Sequence, residues 1–147
     1  MKKSLSLLVF CAMSITSFAQ KGTNASDTTT FCGYFVNKEY NIYIDFDLYH
    51  NNISVPGQEL FGPLPGYLGD KQDSRKWLFI SAEIRDTKKA SVNIINDYGS
   101  EDLSASLTSK NDSTVVLKQE KGSDIKIARN RKWVKLPTQL EFVKAKR

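Results

Sequence analysis

The segment Tyr40-Asn41-Ile42-Tyr43-Ile44-Asp45-Phe46-Asp47-Leu48-Tyr49 decides the fold class, because large apolar side chains recur at every second position. Successive side chains of a β-strand point to opposite faces, so this alternation predicts a strand with two unlike faces. The face expected in the core carries Tyr40, Ile42, Ile44, Phe46 and Leu48. The other face, expected in solvent, carries Asn41, Tyr43, Asp45, Asp47 and Tyr49.

The chain after residue 30 repeats this pattern in short segments that are separated by turn residues, and no segment has the apolar spacing of an amphipathic helix. The predicted strands are residues 31–37, 40–49, 77–85, 90–94, 103–107, 114–120, 124–128, a segment around Trp133, and 140–143. Short connections require antiparallel pairing. We therefore predict an all-β fold, a small antiparallel meander barrel of eight to ten short strands, with a β-sandwich as the alternative.

One resemblance supports the barrel. The order Phe31-Cys32-Gly33-Tyr34, then a meander of hairpins, then a closing aromatic strand resembles the lipocalin-like barrels that exported bacterial proteins often use. The resemblance implies the architecture only, and it transfers no functional residue to this chain.

Residues 1–19 have the organisation of a secretory signal peptide. Lys2 and Lys3 precede an apolar stretch, and Ser17 and Ala19 are the small residues expected before a cleavage site. The stretch is shorter than the roughly 20 residues that a spanning helix needs. We expect cleavage after Ala19, a secreted or periplasmic location, a flexible segment over residues 20–30 and a single barrel domain over residues 31–147.

The composition disfavours most enzyme classes. The chain has one histidine, His50, and two cysteines, of which only Cys32 lies beyond the predicted signal peptide. We predict a non-enzymatic protein with no catalytic residue, metal or cofactor, in which Cys32 is buried as a small apolar group. Residues 96–102 are rich in oxygen ligands, but their spacing favours a hairpin turn over a calcium loop.

Residues 55–76 are predicted to form a long structured loop. They contain three of the four prolines and half of the eight glycines, yet also the large apolar side chains of Leu60, Phe61, Leu64, Tyr67 and Leu68. Such a loop either caps one end of the barrel or presents a contact surface. Trp77 and Phe79 alternate with Leu78 and Ile80, and we expect them to extend the same aromatic surface.

Positive charge is concentrated at the C-terminus. Without Lys2 and Lys3 the chain retains 19 basic and 16 acidic residues, a net charge of +3, whereas residues 117–147 alone carry +7. Within this segment Arg129, Arg131, Lys132 and Lys135 cluster near a predicted turn, where they could attract an acidic partner or an anionic glycolipid. So small a total excess in an exported protein does not indicate nucleic-acid binding.

The sequence thus predicts an exported binding protein that recognises another protein, as an inhibitor or an immunity-type factor. The predicted site joins the 56–77 loop, with Phe61, Tyr67, Trp77 and Phe79, to the basic strands. The alternatives are a lipocalin-like carrier of a small apolar ligand, which needs an unfilled interior, and a hydrolase with an unrecognised site.

A modification is also expected. Asp27-Thr28-Thr29 and Asp112-Ser113-Thr114 resemble the sequence at which exported Bacteroidota proteins are O-glycosylated. The resemblance makes Thr28, Thr29 and Ser113 the candidate acceptors.

Overall fold

A computed structural model describes residues 28–147. The predicted signal peptide and residues 20–27 lie outside the described residues. The strands are β1 Cys32–Asn37, β2 Ile42–Asp47, β3 Gly66–Asp70, β4 Lys76–Ile84, β5 Lys89–Asn96, β6 Asp102–Asn111, β7 Thr114–Gly122, β8 Lys126–Arg129, β9 Lys132–Lys135 and β10 Gln139–Ala145. One short 3-10 helix covers Glu59–Phe61.

Eight of these strands form a closed antiparallel barrel, so the all-β barrel prediction is confirmed. Strands β1 to β7 pair in chain order, β10 pairs with β7, and β10 closes the barrel on β1 through registers such as Val36 opposite Val143. Closure leaves the barrel strands without an open edge. Strands β8 and β9 form a separate two-stranded sheet between β7 and β10.

Aromatic side chains fill the barrel interior. Phe31, Phe46, Phe79 and Phe142 are fully buried in one apolar cluster, and Phe35 stacks on Phe46 with ring centroids 5.2 Å apart. Strand β2 contributes Ile42, Ile44 and Phe46 to this cluster. The predicted core face of β2 is therefore confirmed, and the barrel is a packed core along its axis.

The expectation that the second face of β2 contacts solvent is wrong. Asp45 lies opposite Tyr67, Tyr67 opposite Leu78, and Leu78 opposite Ile95, which forms one row across four strands. Residues 48–65 fold back over this row and place Val55 and Leu64 against it, in an apolar cluster that also contains Tyr67 and Leu78. The outer wall is buried here because the β2–β3 connection is long enough to cover it.

The predicted 55–76 loop also requires correction, because strand β3 lies within it. The strand was hidden because it reads Gly-Tyr-Leu-Gly-Asp and is buried on both faces, which removes the alternation of apolar and polar residues. Its glycines permit close packing: a Cβ on Gly66 would overlap the Asp45 carbonyl and the Phe46 side chain, and one on Gly69 would overlap the Tyr43 ring. The true loop covers residues 48–65.

The β8–β9 hairpin closes one end of the barrel. Ile125, Ile127 and Leu136 belong to the interior apolar cluster, although all three lie outside the barrel strands. The Gln119 side chain ties the segment down, because its Oε1 accepts a hydrogen bond from the Ile125 backbone N–H at 2.7 Å.

Candidate partner-binding site

A pocket of ≈ 210 Å³ lies between the β8–β9 hairpin and the turn that joins β5 to β6. It is lined by residues of β4, of the β3–β4 and β5–β6 turns and of the hairpin: Arg75, Lys76, Trp77, Asn96, Asp97, Tyr98, Ser100, Glu101, Lys126 and Trp133. Aromatic and charged side chains thus meet at the end of the barrel that the hairpin closes.

Two exposed aromatic side chains border this pocket. Trp133 on β9 is 60% exposed, and Tyr98 at the tip of the β5–β6 turn is 77% exposed. The Arg75 guanidinium lies over the Trp133 ring, 4.8 Å from its centroid, a cation–π arrangement. The Asp73 carboxylate holds Arg75 through a 3.2 Å contact from Nη1 to Oδ2. Large aromatics left this exposed beside a pocket indicate a contact surface.

The hairpin is held in place by buried polar contacts. The Trp77 Nε1–H, at the pocket, donates to the Lys126 carbonyl at 3.1 Å. Arg129 binds Asp70 with both terminal nitrogens, Nη1 to Oδ2 at 2.6 Å and Nη2 to Oδ1 at 3.0 Å, and Nη2 also donates to the Tyr40 carbonyl at 2.7 Å. A bidentate guanidinium–carboxylate pair fixes both distance and orientation. The exposed Trp133 therefore stands on a rigid support.

The basic cluster predicted from the sequence divides into two groups. Arg129 is mostly buried and structural, as described above. Lys135 contacts Asp124 at 2.8 Å on the surface, and this pairing raises the pKa of Lys135 and lowers the pKa of Asp124. Arg131 and Lys132 are exposed, and within residues 28–147 neither forms an ion pair. Arg131 and Lys132 thus remain available to a partner, and Lys135 is exposed but paired with Asp124.

The aromatic residues predicted for the loop surface do not form one. Phe61 is 43% exposed, but Tyr67, Trp77 and Phe79 are buried, so their prediction as exposed contact residues is corrected. Trp77 and Phe79 face the barrel interior. The alternation in β4 suggested the opposite orientation because Leu78, on the other face, is also apolar and is buried beneath the loop. A register shift after Phe79 then leaves Ile80 outside the core. Burial and a hydrogen bond with Tyr43 raise the pKa of the Tyr67 hydroxyl.

Sequence reasoning missed Trp133 and Tyr98 as site residues. Both had a usable signal: Trp133 follows Arg131 and Lys132 in a basic segment, and Tyr98 stands in a turn of polar residues. An aromatic side chain in a mainly charged or polar segment has few apolar neighbours to pack against locally. Such a residue is a better indicator of a contact surface than the apolar side chains of a proline-rich loop.

Other polar groups singled out from the sequence have structural roles. The 96–102 segment forms the predicted turn, in which Asn96 Oδ1 accepts the Ser100 N–H at 2.9 Å, and the described residues contain no cluster of three potential metal ligands. Asp47 holds the exposed His50 through a 2.9 Å contact from Oδ2 to Nδ1. Burial and the nearby Asp47 raise the pKa of the partly buried Cys32 thiol, which keeps it protonated and weakly nucleophilic.

Thr28, Thr29 and Ser113 are exposed, and their glycosylation stays a prediction. No helix within residues 28–147 is long and apolar enough to cross a membrane. Comparison of the chain with models of known families, with curated proteins and with solved structures gave no significant match.

Proposed function

We propose that this chain is an exported, non-enzymatic binding protein that recognises another protein through the hairpin end of its barrel. The observation that carries the proposal is the exposed Trp133, stacked by Arg75 beside a pocket that Tyr98 also borders. Tryptophan, tyrosine and arginine are the residues that most often dominate the binding free energy of protein interfaces. Secretion or a periplasmic location follows from the signal peptide predicted over residues 1–19.

Preorganisation supports this assignment. The Arg129–Asp70 pair and the hydrogen bond from Trp77 to Lys126 restrain the hairpin before any partner arrives. A site that is already ordered loses less conformational entropy on binding. The two-residue turn of the hairpin also supports a binding role. Arg131 adopts a left-handed conformation there, with φ 62°, although glycine accepts this conformation at lower energy. The strained turn exposes a guanidinium at the tip of the hairpin.

The packed interior favours surface recognition over the carrier alternative. A carrier of a small apolar ligand needs space along the barrel axis, and here that axis is occupied by the buried side chains of Phe46, Phe79 and Phe142. Inhibition or immunity by direct capture of a protein needs only an ordered surface. The inhibitor or immunity-type role is therefore the proposed activity.

Site-specific photo-crosslinking in the native envelope tests the proposal. A benzophenone amino acid at position 98 lines the pocket, and one at position 132 lies next to Trp133 along β9, so both probe the hairpin end without removing Trp133. The same group at position 61 is the matched control on the loop. We expect one protein to be cross-linked from positions 98 and 132 and not from 61, and to be identified by mass spectrometry. Cross-linking of a single protein from position 61 alone would move the site to the loop and refute the proposal.

A further inference from the structure

The free edge of strand β9 is the feature of the hairpin that the proposed function does not use. Leu136 N–H donates to the Ile125 carbonyl directly opposite at 2.8 Å, in the register that pairs Lys126 with Lys135. In antiparallel strands, hydrogen-bonded and non-hydrogen-bonded pairs alternate. The backbone groups of Lys132 and Val134 therefore point toward β8, and those of Trp133 and Lys135 point away from it.

The corresponding edge of β8 is already occupied. The same alternation directs the Lys126 and Ala128 carbonyls away from β9, where they accept hydrogen bonds from Trp77 Nε1 and from Arg129 Nη1 at 2.7 Å. Strand β9 has no such cover: all four of its residues are exposed, and among residues 28–147 its only strand partner is β8. An uncovered edge of this kind is a template for one more strand.

Charge selects the occupant. The edge carries Lys132 and Lys135 and begins at Arg131, and of these three residues Lys135 is paired, with Asp124. A second copy of β9 added antiparallel would bring its own lysines against these lysines, which is unfavourable. An extended segment with acidic side chains instead complements the edge. When its acidic residues lie on the face of Lys132, its alternate apolar residues lie on the face of Trp133 and cover part of the exposed indole.

We propose that β9 binds an extended acidic segment of the partner protein by strand addition, as the third strand of the hairpin sheet. The inference rests on the proposed function and assigns the chemistry of the partner. Backbone hydrogen bonds to Trp133 and Lys135 supply affinity, and the lysines together with Trp133 supply selectivity.

Blocked octapeptides test this with a defined probe. One peptide alternates glutamate and valine, and its control alternates lysine and valine. In an NMR titration of residues 20–147 we expect the acidic peptide to bind at least tenfold more tightly and to slow hydrogen exchange at the Trp133 and Lys135 amides. N-methylation of alternate peptide residues sharpens the test, because one set of methyl groups should abolish binding and the other should have little effect. Equal effects of the two sets, or no binding of the acidic peptide, would overturn the inference.

A matched pair of variants separates this inference from the proposed function. Lys135→Pro removes the backbone N–H that points away from β8 and leaves the hydrogen bonds between β8 and β9 intact. Lys135→Ala shortens the side chain but keeps this N–H. We expect Lys135→Pro to bind the acidic peptide at least tenfold more weakly than Lys135→Ala. If Trp133→Ala no longer binds the cross-linked partner but both Lys135 variants bind it equally well, the inference of strand addition is refuted and the proposed function stands. If no partner is cross-linked from positions 98 and 132, the proposed function fails.

Discussion

The β2–β3 loop, residues 48–65, and the hairpin segment, residues 123–137, are the two long connections of the barrel, and they lie at opposite ends of it. The loop contains prolines and apolar side chains, and it packs Val55 and Leu64 on the outside of the wall. The hairpin segment is basic, and it inserts Ile125, Ile127 and Leu136 into the interior. The loop covers the outside of the wall, and the basic hairpin closes one end of the barrel.

This difference shows why the aromatic surface predicted for the loop is not formed, because most of its side chains are buried. Apolar residues in a connection often have a wall to cover, so they do not mark a free surface. The hairpin buries a few aliphatic side chains at one end and leaves Trp133 exposed, so the same segment provides both anchor and contact surface. The hairpin thus combines a rigid support with an exposed aromatic side chain, Trp133.

The largest expected difference is in the free energy of unfolding. Ile127→Ala removes a buried core side chain contributed by the hairpin, and we expect it to destabilise the fold by about 3 kcal/mol. Leu60→Ala is the control in the loop, where the side chain is fully exposed, and it should change stability by less than about 0.5 kcal/mol. Urea unfolding measures both. Comparable losses in the two variants would show that the hairpin does not close the barrel core.

A second variant tests the boundary between the loop and β3. Gly66→Ala places a methyl group against the Asp45 carbonyl and Phe46, and we expect a loss of about 2 kcal/mol by overpacking. Ser54→Ala, in the exposed part of the loop, should change stability by less than about 0.5 kcal/mol. A neutral Gly66→Ala would mean that residue 66 belongs to a loose loop instead of a packed strand.

The strands found by alternation are those with one core face and one polar face, such as β5, in which Ala90, Val92 and Ile94 are buried. Strand β3 could not be found this way because both of its faces are covered, one by the core and one by the loop. The same cause hid the orientation of Trp77 and Phe79. The pocket escaped prediction because its lining residues, among them Arg75, Tyr98 and Trp133, are distant in sequence and come together only in the folded barrel.

The entrance to the loop is expected to respond to acid through Asp47, the last residue of β2. Burial raises the pKa of Asp47, but hydrogen bonds from the His50 ring and from the His50 and Tyr49 backbone N–H groups outweigh it and lower the pKa overall. The stabilisation from a depressed folded-state pKa is complete above the unfolded value, near 4, and is lost as pH falls through the folded pKa.

Asp47→Asn should therefore flatten the decline in stability at acid pH and reduce stability at pH 7 by less than about 1 kcal/mol. Unfolding in urea between pH 7 and pH 3 measures both effects, with Glu83→Gln as an exposed control. An unchanged acid profile in Asp47→Asn would show that this carboxylate does not anchor the loop.

The smallest expected effect is at the hairpin turn. Arg131→Gly relieves the backbone strain of the left-handed conformation at φ 62°. The greater backbone freedom of glycine in the unfolded chain offsets part of this gain, so we expect a net stabilisation of about 0.5 kcal/mol. The same change should weaken capture of an acidic partner. Lys132→Ala removes a neighbouring charge without changing the backbone and serves as the control. A destabilised Arg131→Gly would show that the side chain has a structural role in the hairpin.

The most direct test of the central claim is the affinity of the cross-linked partner for two single variants, Trp133→Ala in the hairpin and Phe61→Ala in the loop. Both side chains are exposed, so neither variant should change the melting temperature appreciably. We expect Trp133→Ala to weaken binding at least tenfold and Phe61→Ala to change it by less than about twofold. Loss of binding in Phe61→Ala with full binding in Trp133→Ala would contradict the account and place recognition on the loop.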